Sequence, residues 1–243
     1  MPPADKADLL ALTCAAHGGL TRWQATSRIY ADVAITGALW ASKGHPGVLA
    51  DAHLSAHTDR QVLTFDGFGP RRWRSVLEPG RITLQDKNGT IRAERLNPRA
   101  SFPGDPRAPW DDLQVAYFAS YAMWNYLTLP FLATTAGFHC GQVPRWPAAD
   151  PTWTRLRIEF PARIATHTAV QHLNIDSEGL VVRHDYDADV LGGSPAANVA
   201  SGHREFGGIV FGTQRRVTPR TPDGAAAAEP LLVSIDFGDI QVQ

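Results

Sequence analysis

The chain has 243 residues, 44% hydrophobic and 19% charged, with 23 basic side chains against 24 acidic ones. That length buries a substantial core as one domain spanning 1–243. A formal net charge of −1 leaves no electrostatic footprint for nucleic acid or an anionic membrane, so neither is expected as a partner.

The opening MPPADKADLLALTCAAHGGL carries Asp5 and Asp8 and lacks a basic segment ahead of a long apolar core. No secretory signal is read there, and a cytoplasmic protein with reduced thiols is expected. Cys14 and Cys140 are too few for a disulfide framework and lack metal-site spacing.

Residues 5–17 read as a helix stopped by Gly18-Gly19. A strand-like run covers 27–41, and further strands are expected at 48–57, 61–66, 71–77, 81–86 and 90–96. Asp66-Gly67, Pro79-Gly80 and Asn88-Gly89 supply turns between them. The basic groups Arg71-Arg72-Trp73-Arg74 and Arg215-Arg216 read as strand surface, and 97–109, rich in Pro and Gly, reads as a loop.

PWDDLQVAYFASYAMWNYLTLPF follows. Asp111 or Asp112 serves the helix start and Pro130 limits its end. Leu113, Tyr117, Tyr121 and Trp124 share one side, and Val115, Phe118, Ala122 and Asn125 another; a helix apolar all round is enclosed. Residues 113–144 carry no charge, but Gln114, Asn125, Pro130 and Gly137 break the run, so no membrane span is expected. Strands resume at 153–160, 167–175, 180–187, 207–217 and 230–242, with 194–202 read as a flexible loop and possible lid.

About eleven strands in meander order, with one helix inserted midway, imply a β-dominated α+β fold: a large curved antiparallel sheet, an open half-barrel enclosing a buried helix. This order resembles the LolA/LolB-type lipoprotein-carrier superfamily, a resemblance that implies a hydrophobic cavity for acyl chains. The stretches AHGGLTRW, PWDDLQVAYFASYAMWNYLTLPF, GLVVRHDYDADVLGG and GTQRRV also resemble a family of uncharacterised bacterial proteins, which implies no activity.

Chemistry concentrates in HTAVQHLNIDSEGLVVRHDY, His167 to Tyr186. With Asp176-Ser177-Glu178-Gly179 as the loop, Ile175 faces Leu180, Leu173 faces Val182, Gln171 faces His184 and Ala169 faces Tyr186. Alternation then puts His167, Gln171, Leu173, Val182, His184 and Tyr186 on an inner face. Thr168, Val170, His172, Arg183, Asp185 and Asp187 fall on a solvated outer face.

A buried imidazole exchanges protons near neutral pH when a neighbour fixes its tautomer. The expected function is therefore a cofactor-independent enzyme on a lipophilic small molecule: a cyclase, isomerase or lyase. His184 is the expected acid/base, Gln171 its orienting partner, and His167 or Tyr186 the group polarising an oxygen. Tyr117, Tyr121, Trp124, Asn125, Leu173 and Val182 are expected to line a cavity of drug-like size. The alternative is a non-catalytic cytoplasmic carrier of a hydrophobic ligand, whose cavity needs few convergent polar groups.

No metal or cofactor is implied. His53 and His57 have helical zinc-like spacing in a strand-like region, and Asp185, Asp187 and Asp189 lack the rest of a calcium loop. Phosphate loops, dinucleotide fingerprints and nucleophile elbows are absent from the sequence. On the enzyme reading, His184→Gln lowers turnover about a hundredfold without unfolding the chain. His172→Gln, one face over, changes it little; steady-state kinetics on both variants is the check.

Overall fold

The structure, a computed structural model, describes residues 6–243. Strand-forming runs separated by glycine turns pair with their sequence neighbours into two arms. The first holds β1 (Arg28–Thr36), β2 (Leu49–His57), β3 (Leu63–Phe68), β4 (Trp73–Glu78), β5 (Arg81–Gln85) and β6 (Ile91–Leu96). The second holds β7 (His139–Val143), β8 (Thr154–Glu159), β9 (Val170–Ile175), β10 (Val181–Ala188), β11 (Ser194–Phe206), β12 (Ile209–Pro219) and β13 (Val233–Val242). They join as one 13-stranded antiparallel sheet, ordered β6-β5-β4-β3-β2-β1-β13-β12-β11-β10-β9-β8-β7. The sheet curls without closing, a β-dominated α+β half-barrel. Its helices are α1 (Lys6–Ala16), α2 (Leu20–Gln24), α3 (Ala38–Ser42) and α4 (Asp112–Thr128).

In this order β6 and β7 are the two edges, so the chain between them must cross the hollow. Helix α4 makes that crossing. A capping box starts it: Gln114 N donates to Asp111 Oδ1 and Asp111 N to Gln114 Oε1, both at 2.9 Å. Every residue from Leu113 to Thr128 is buried. Trp124 Nε1 donates to the His57 carbonyl in β2 at 2.7 Å, and Asn125 Nδ2 to the Ala165 carbonyl ahead of β9 at 3.1 Å. The helix is thus fastened to both arms. No described helix is long and apolar enough to cross a membrane.

Three elements differ from the sequence reading. The run at 27–41 splits at Gly37, whose φ of +115° ends β1 where an added Cβ would lie 2.4 Å from the Leu232 carbonyl oxygen. Edge strand β7 falls where the sequence reading places no strand, and β11 covers the supposed lid at 194–202. Strand β11 looks loop-like because its core positions Ala196, Ala197 and Ala200 are small.

The β9–β10 hairpin also differs from its expected register. Ile175 pairs with Val181, not Leu180, because Asp176 Oδ1 accepts from Glu178 N at 3.0 Å and Leu180 N at 2.9 Å and draws Leu180 into the turn. A bulge follows between Val181 and Arg183, after which Leu173 pairs with His184 and His172 with Asp185. The two single-residue shifts add to a two-residue slip, which restores the faces of His184 and Tyr186 but turns Val182 out. Val181 is buried in its place.

The outer face of this hairpin is solvated at Asp187 but covered at Arg183 and Asp185. Arg183 Nε donates to Asp185 Oδ1 at 2.6 Å, and this ion pair is almost wholly enclosed. Trp146 Nε1 and Asn174 Nδ2 each donate to Asp185 Oδ2 at 3.0 Å, while Arg183 reaches the Gly224 carbonyl at 2.7 Å. The loops carrying Trp146 and Gly224 therefore form a lid over charges that sequence places at the surface. Removing one partner of a buried pair strands the other charge. Asp185→Ala is expected to destabilise the fold by about 3–5 kcal/mol, and Arg183→Met/Asp185→Leu by less than the single change; urea unfolding of the three proteins checks this.

Candidate functional site

On the concave face, cross-strand pairing sets His184 of β10 beside Asn198 of β11, and Asn198 beside Val217 of β12. Arg215 lies two residues along β12, opposite Ala200. His184, Asn198, Tyr186 and Arg215 thus make a polar band across three strands, and all are buried. Helix α4 lays Tyr126 over it, with the Arg215 guanidinium 4.9 Å from the centre of the Tyr126 ring.

His167 completes the cluster from the loop before β9, where a strand residue was expected. Its ring stacks on Tyr186 at 3.8 Å with a 7° tilt. The Tyr126 hydroxyl lies 2.9 Å from His167 Nε2 and 2.7 Å from the Tyr186 hydroxyl, and the Tyr121 hydroxyl lies 3.3 Å from Nδ1. One tyrosine donates to the neutral ring and the other accepts from it. Arg99 fixes the backbone here, donating to the Thr166 carbonyl at 2.6 Å and the His167 carbonyl at 3.2 Å while pairing with Asp189 at 2.5 Å.

Burial governs ionisation throughout. It pushes His167 down to about 3, helped by Arg99, and His184 well below its usual value, helped by Arg215 and His167. Burial raises Tyr126 to about 12, and Tyr121 and Tyr186 well above the phenol range. At neutral pH the cluster is a set of neutral dipoles with one buried cation, Arg215. Burial thus disfavours the imidazolium form of both rings.

Several expected roles fall differently. Gln171 does not orient His184: its amide donates to Thr166 Oγ1 and, at 2.7 Å, to the Thr168 carbonyl. Trp124 and Asn125 fasten α4 to the arms, Tyr121 is enclosed against His167, and Val182 faces outward, so none of these four lines the main voids. Leu173 lines only a small cavity of about 20 Å³ beside His184. Tyr117 does face an opening, a cleft of about 610 Å³.

That cleft lies between the arms. Leu77, Pro79 and Pro98 wall it on one side, Phe160 and Ile164 on the other, and Tyr117 and Arg99 also line it. A second void, about 50 Å³ and almost wholly apolar, lies between Ala119, Ala122 and Met123 of α4 and the central strands. The turn Asp189–Leu191 touches both, with Asp189 on the cleft and Leu191 on the apolar void.

The sequence reading missed four contributors. Strand alternation from Phe211 through Thr213 to Arg215 and Val217 is the signal that turns Arg215 inward. Asn198 was hidden by the small residues of β11. His17 and His203 serve the bulge: Val181 N donates to His17 Nε2 at 3.1 Å, and His203 Nε2 donates to the Val181 carbonyl at 3.0 Å. His17 Nδ1 in turn donates to the Val210 carbonyl at 2.8 Å. Nothing local in the sequence announces those long-range contacts.

With the geometry in hand, the fold can be compared. The chain is similar to a LolA superfamily protein from Nitrosomonas europaea, with a TM-score of 0.58 and 10% identity over 99% of this chain and 94% of that one. A DUF1329 family protein from Desulfovibrio piger aligns at a TM-score of 0.47 and 11% identity, over 97% and 92% of the two chains. No protein-family model matches the sequence, and no curated protein matches it. The fold is the LolA-like half-barrel.

Burial pushes His17 down to about 4, so both His17 and His167 enter the folded state uncharged and are protonated more readily when unfolded. Their stabilisation is whole above the unfolded value near 6.5 and is lost as pH falls toward 3–4. Each is expected to cost about 2 kcal/mol of stability by pH 5. His17→Gln, which keeps a donor and an acceptor, should flatten the slope; denaturant melts at pH 7 and pH 5 measure it.

Proposed function

We propose that the protein is a non-catalytic carrier of a hydrophobic small molecule, held in the cleft between the two arms with Tyr117 at its wall. The observation that carries this reading is the cleft's size: about 610 Å³ falls within the range that encloses a drug-sized ligand. Its walls are largely apolar, with Leu77, Phe160 and Ile164 opposed across the opening and Arg99 as a polar anchor. The apolar void behind Leu191 is too small at about 50 Å³ to receive such a ligand as it stands. It offers room for the end of a chain if the Asp189–Leu191 turn gives way.

Carriage is preferred to acid–base catalysis because the groups able to move protons are closed off from this cleft. His167 and His184 are 0% and 1% exposed and are held neutral by burial. The LolA-like fold supports the same preference, since its hollow suits lipophilic cargo.

Ala100 is exposed on the rim, so a large side chain there fills the cleft without disturbing the core. Ala100→Trp is expected to weaken binding of the neutral dye N-phenyl-1-naphthylamine at least tenfold with little change in Tm. Tyr117→Ala should weaken it severalfold. Fluorescence titration measures both, and equal affinity in wild type and Ala100→Trp would place the ligand elsewhere.

A further inference from the structure

Three arginines are buried among the described residues: Arg155, Arg183 and Arg215. Arg183 pairs with Asp185 at 2.6 Å. Arg155 lies 3.9 Å over the Trp146 ring, donates to the Pro144 carbonyl at 3.3 Å, and feels the Asp185 charge nearby. Arg215 forms no salt bridge among the described residues. Its contacts are a 3.3 Å hydrogen bond to the Tyr126 carbonyl and the face of the Tyr126 ring. Its Nε has no acceptor.

The same small cavity that meets Arg215 also meets His184, whose Nε2 is fully enclosed and without a partner. His17, the other polar side chain with ring nitrogens there, has both committed, Nδ1 to the Val210 carbonyl and Nε2 to Val181 N. The unpartnered polar atoms on the residues lining this cavity are therefore Arg215 Nε–H, a donor, and His184 Nε2, which donates in its Nε2–H tautomer. A buried cation with unused donors needs a negative partner; water satisfies the dipoles but leaves the charge.

We propose that this cavity is a binding site for a small monovalent anion of the chloride class, held between the Arg215 guanidinium and His184 Nε2–H under the Tyr126 ring. Its volume of about 20 Å³ is room for one water-sized particle. That admits a halide and excludes sulfate or phosphate. The inference does not depend on the carrier reading, because the cleft proposed for hydrophobic cargo shares no lining residue with this cavity.

The test replaces sodium gluconate by sodium chloride or bromide at constant ionic strength and follows thermal unfolding of the full chain. Wild type is expected to gain about 4 °C at a tenfold excess over Kd and to go on rising with the logarithm of halide concentration, whereas Arg215→Met gains nothing. Bromide-soaked wild-type crystals provide the second measurement, which needs no variant to fold. An anomalous peak between Arg215 and His184 supports the site. No halide-specific shift in wild type, or bromide peaks only at the surface, overturns it. Dye binding to the cleft is expected to be the same in gluconate and chloride, which separates failure here from failure of the carrier reading.

Discussion

The structure depends on one constraint: the two edges of its sheet are consecutive in sequence, so the chain between β6 and β7 has to cross the hollow. A segment crossing there meets side chains on nearly every side and must satisfy its own backbone. Helix α4 does both. It hydrogen-bonds internally, starts at a capping box, and offers no polar face. Its few polar tips then find fixed partners: Trp124 on the first arm, Asn125 on the loop before β9, and Tyr121 and Tyr126 on His167. The helix decides how far apart the arms stand, and the cleft is the gap left beside it.

The concave face beneath α4 is unusually polar for a core. His167 and Tyr186 meet the Tyr126 hydroxyl, whereas His184 Nε2, Arg215 Nε and both amide atoms of Asn198 are buried beside them without a hydrogen-bond partner. Low polarity strengthens the hydrogen bonds that are made and penalises every group left unpaired. The histidines answer by staying neutral and the tyrosines by keeping their protons. Arg215 has no such option, since a guanidinium does not give up its proton in a protein. The cluster is better suited to rigid positioning than to proton traffic, and the open volume lies elsewhere, between the arms.

Much of this was legible from local chemistry. The DDLQ start, the all-round apolar helix and the glycine turns located α4 and most strands, and meander order gave the half-barrel. The inner-face assignment of His184 and Tyr186 survived because two single-residue register shifts added to an even slip, which sequence alone could not reveal. What escaped was set by distant segments. Arg183 and Asp185 look like surface residues until the Trp146 and Gly224 loops cover them. The bulge at Val182 leaves Val181 with a backbone N–H and C=O that His17 and His203 satisfy, from far away in sequence. Strand β11 was read as a loop because close packing calls for alanines, and small residues are also what loops contain.

The middle of the sheet has a temporal meaning. Within each arm, every ladder joins strands that follow one another, so loop closure there is short. The seam between β1 and β13 is different, since it joins Ile29 to Val242. Closing so long a loop costs more entropy than any hairpin, and contacts of that span slow folding. Both arms can therefore assemble as separate meanders before their common seam forms. On loop-closure cost, the two strands at the middle of the sheet are expected to pair last.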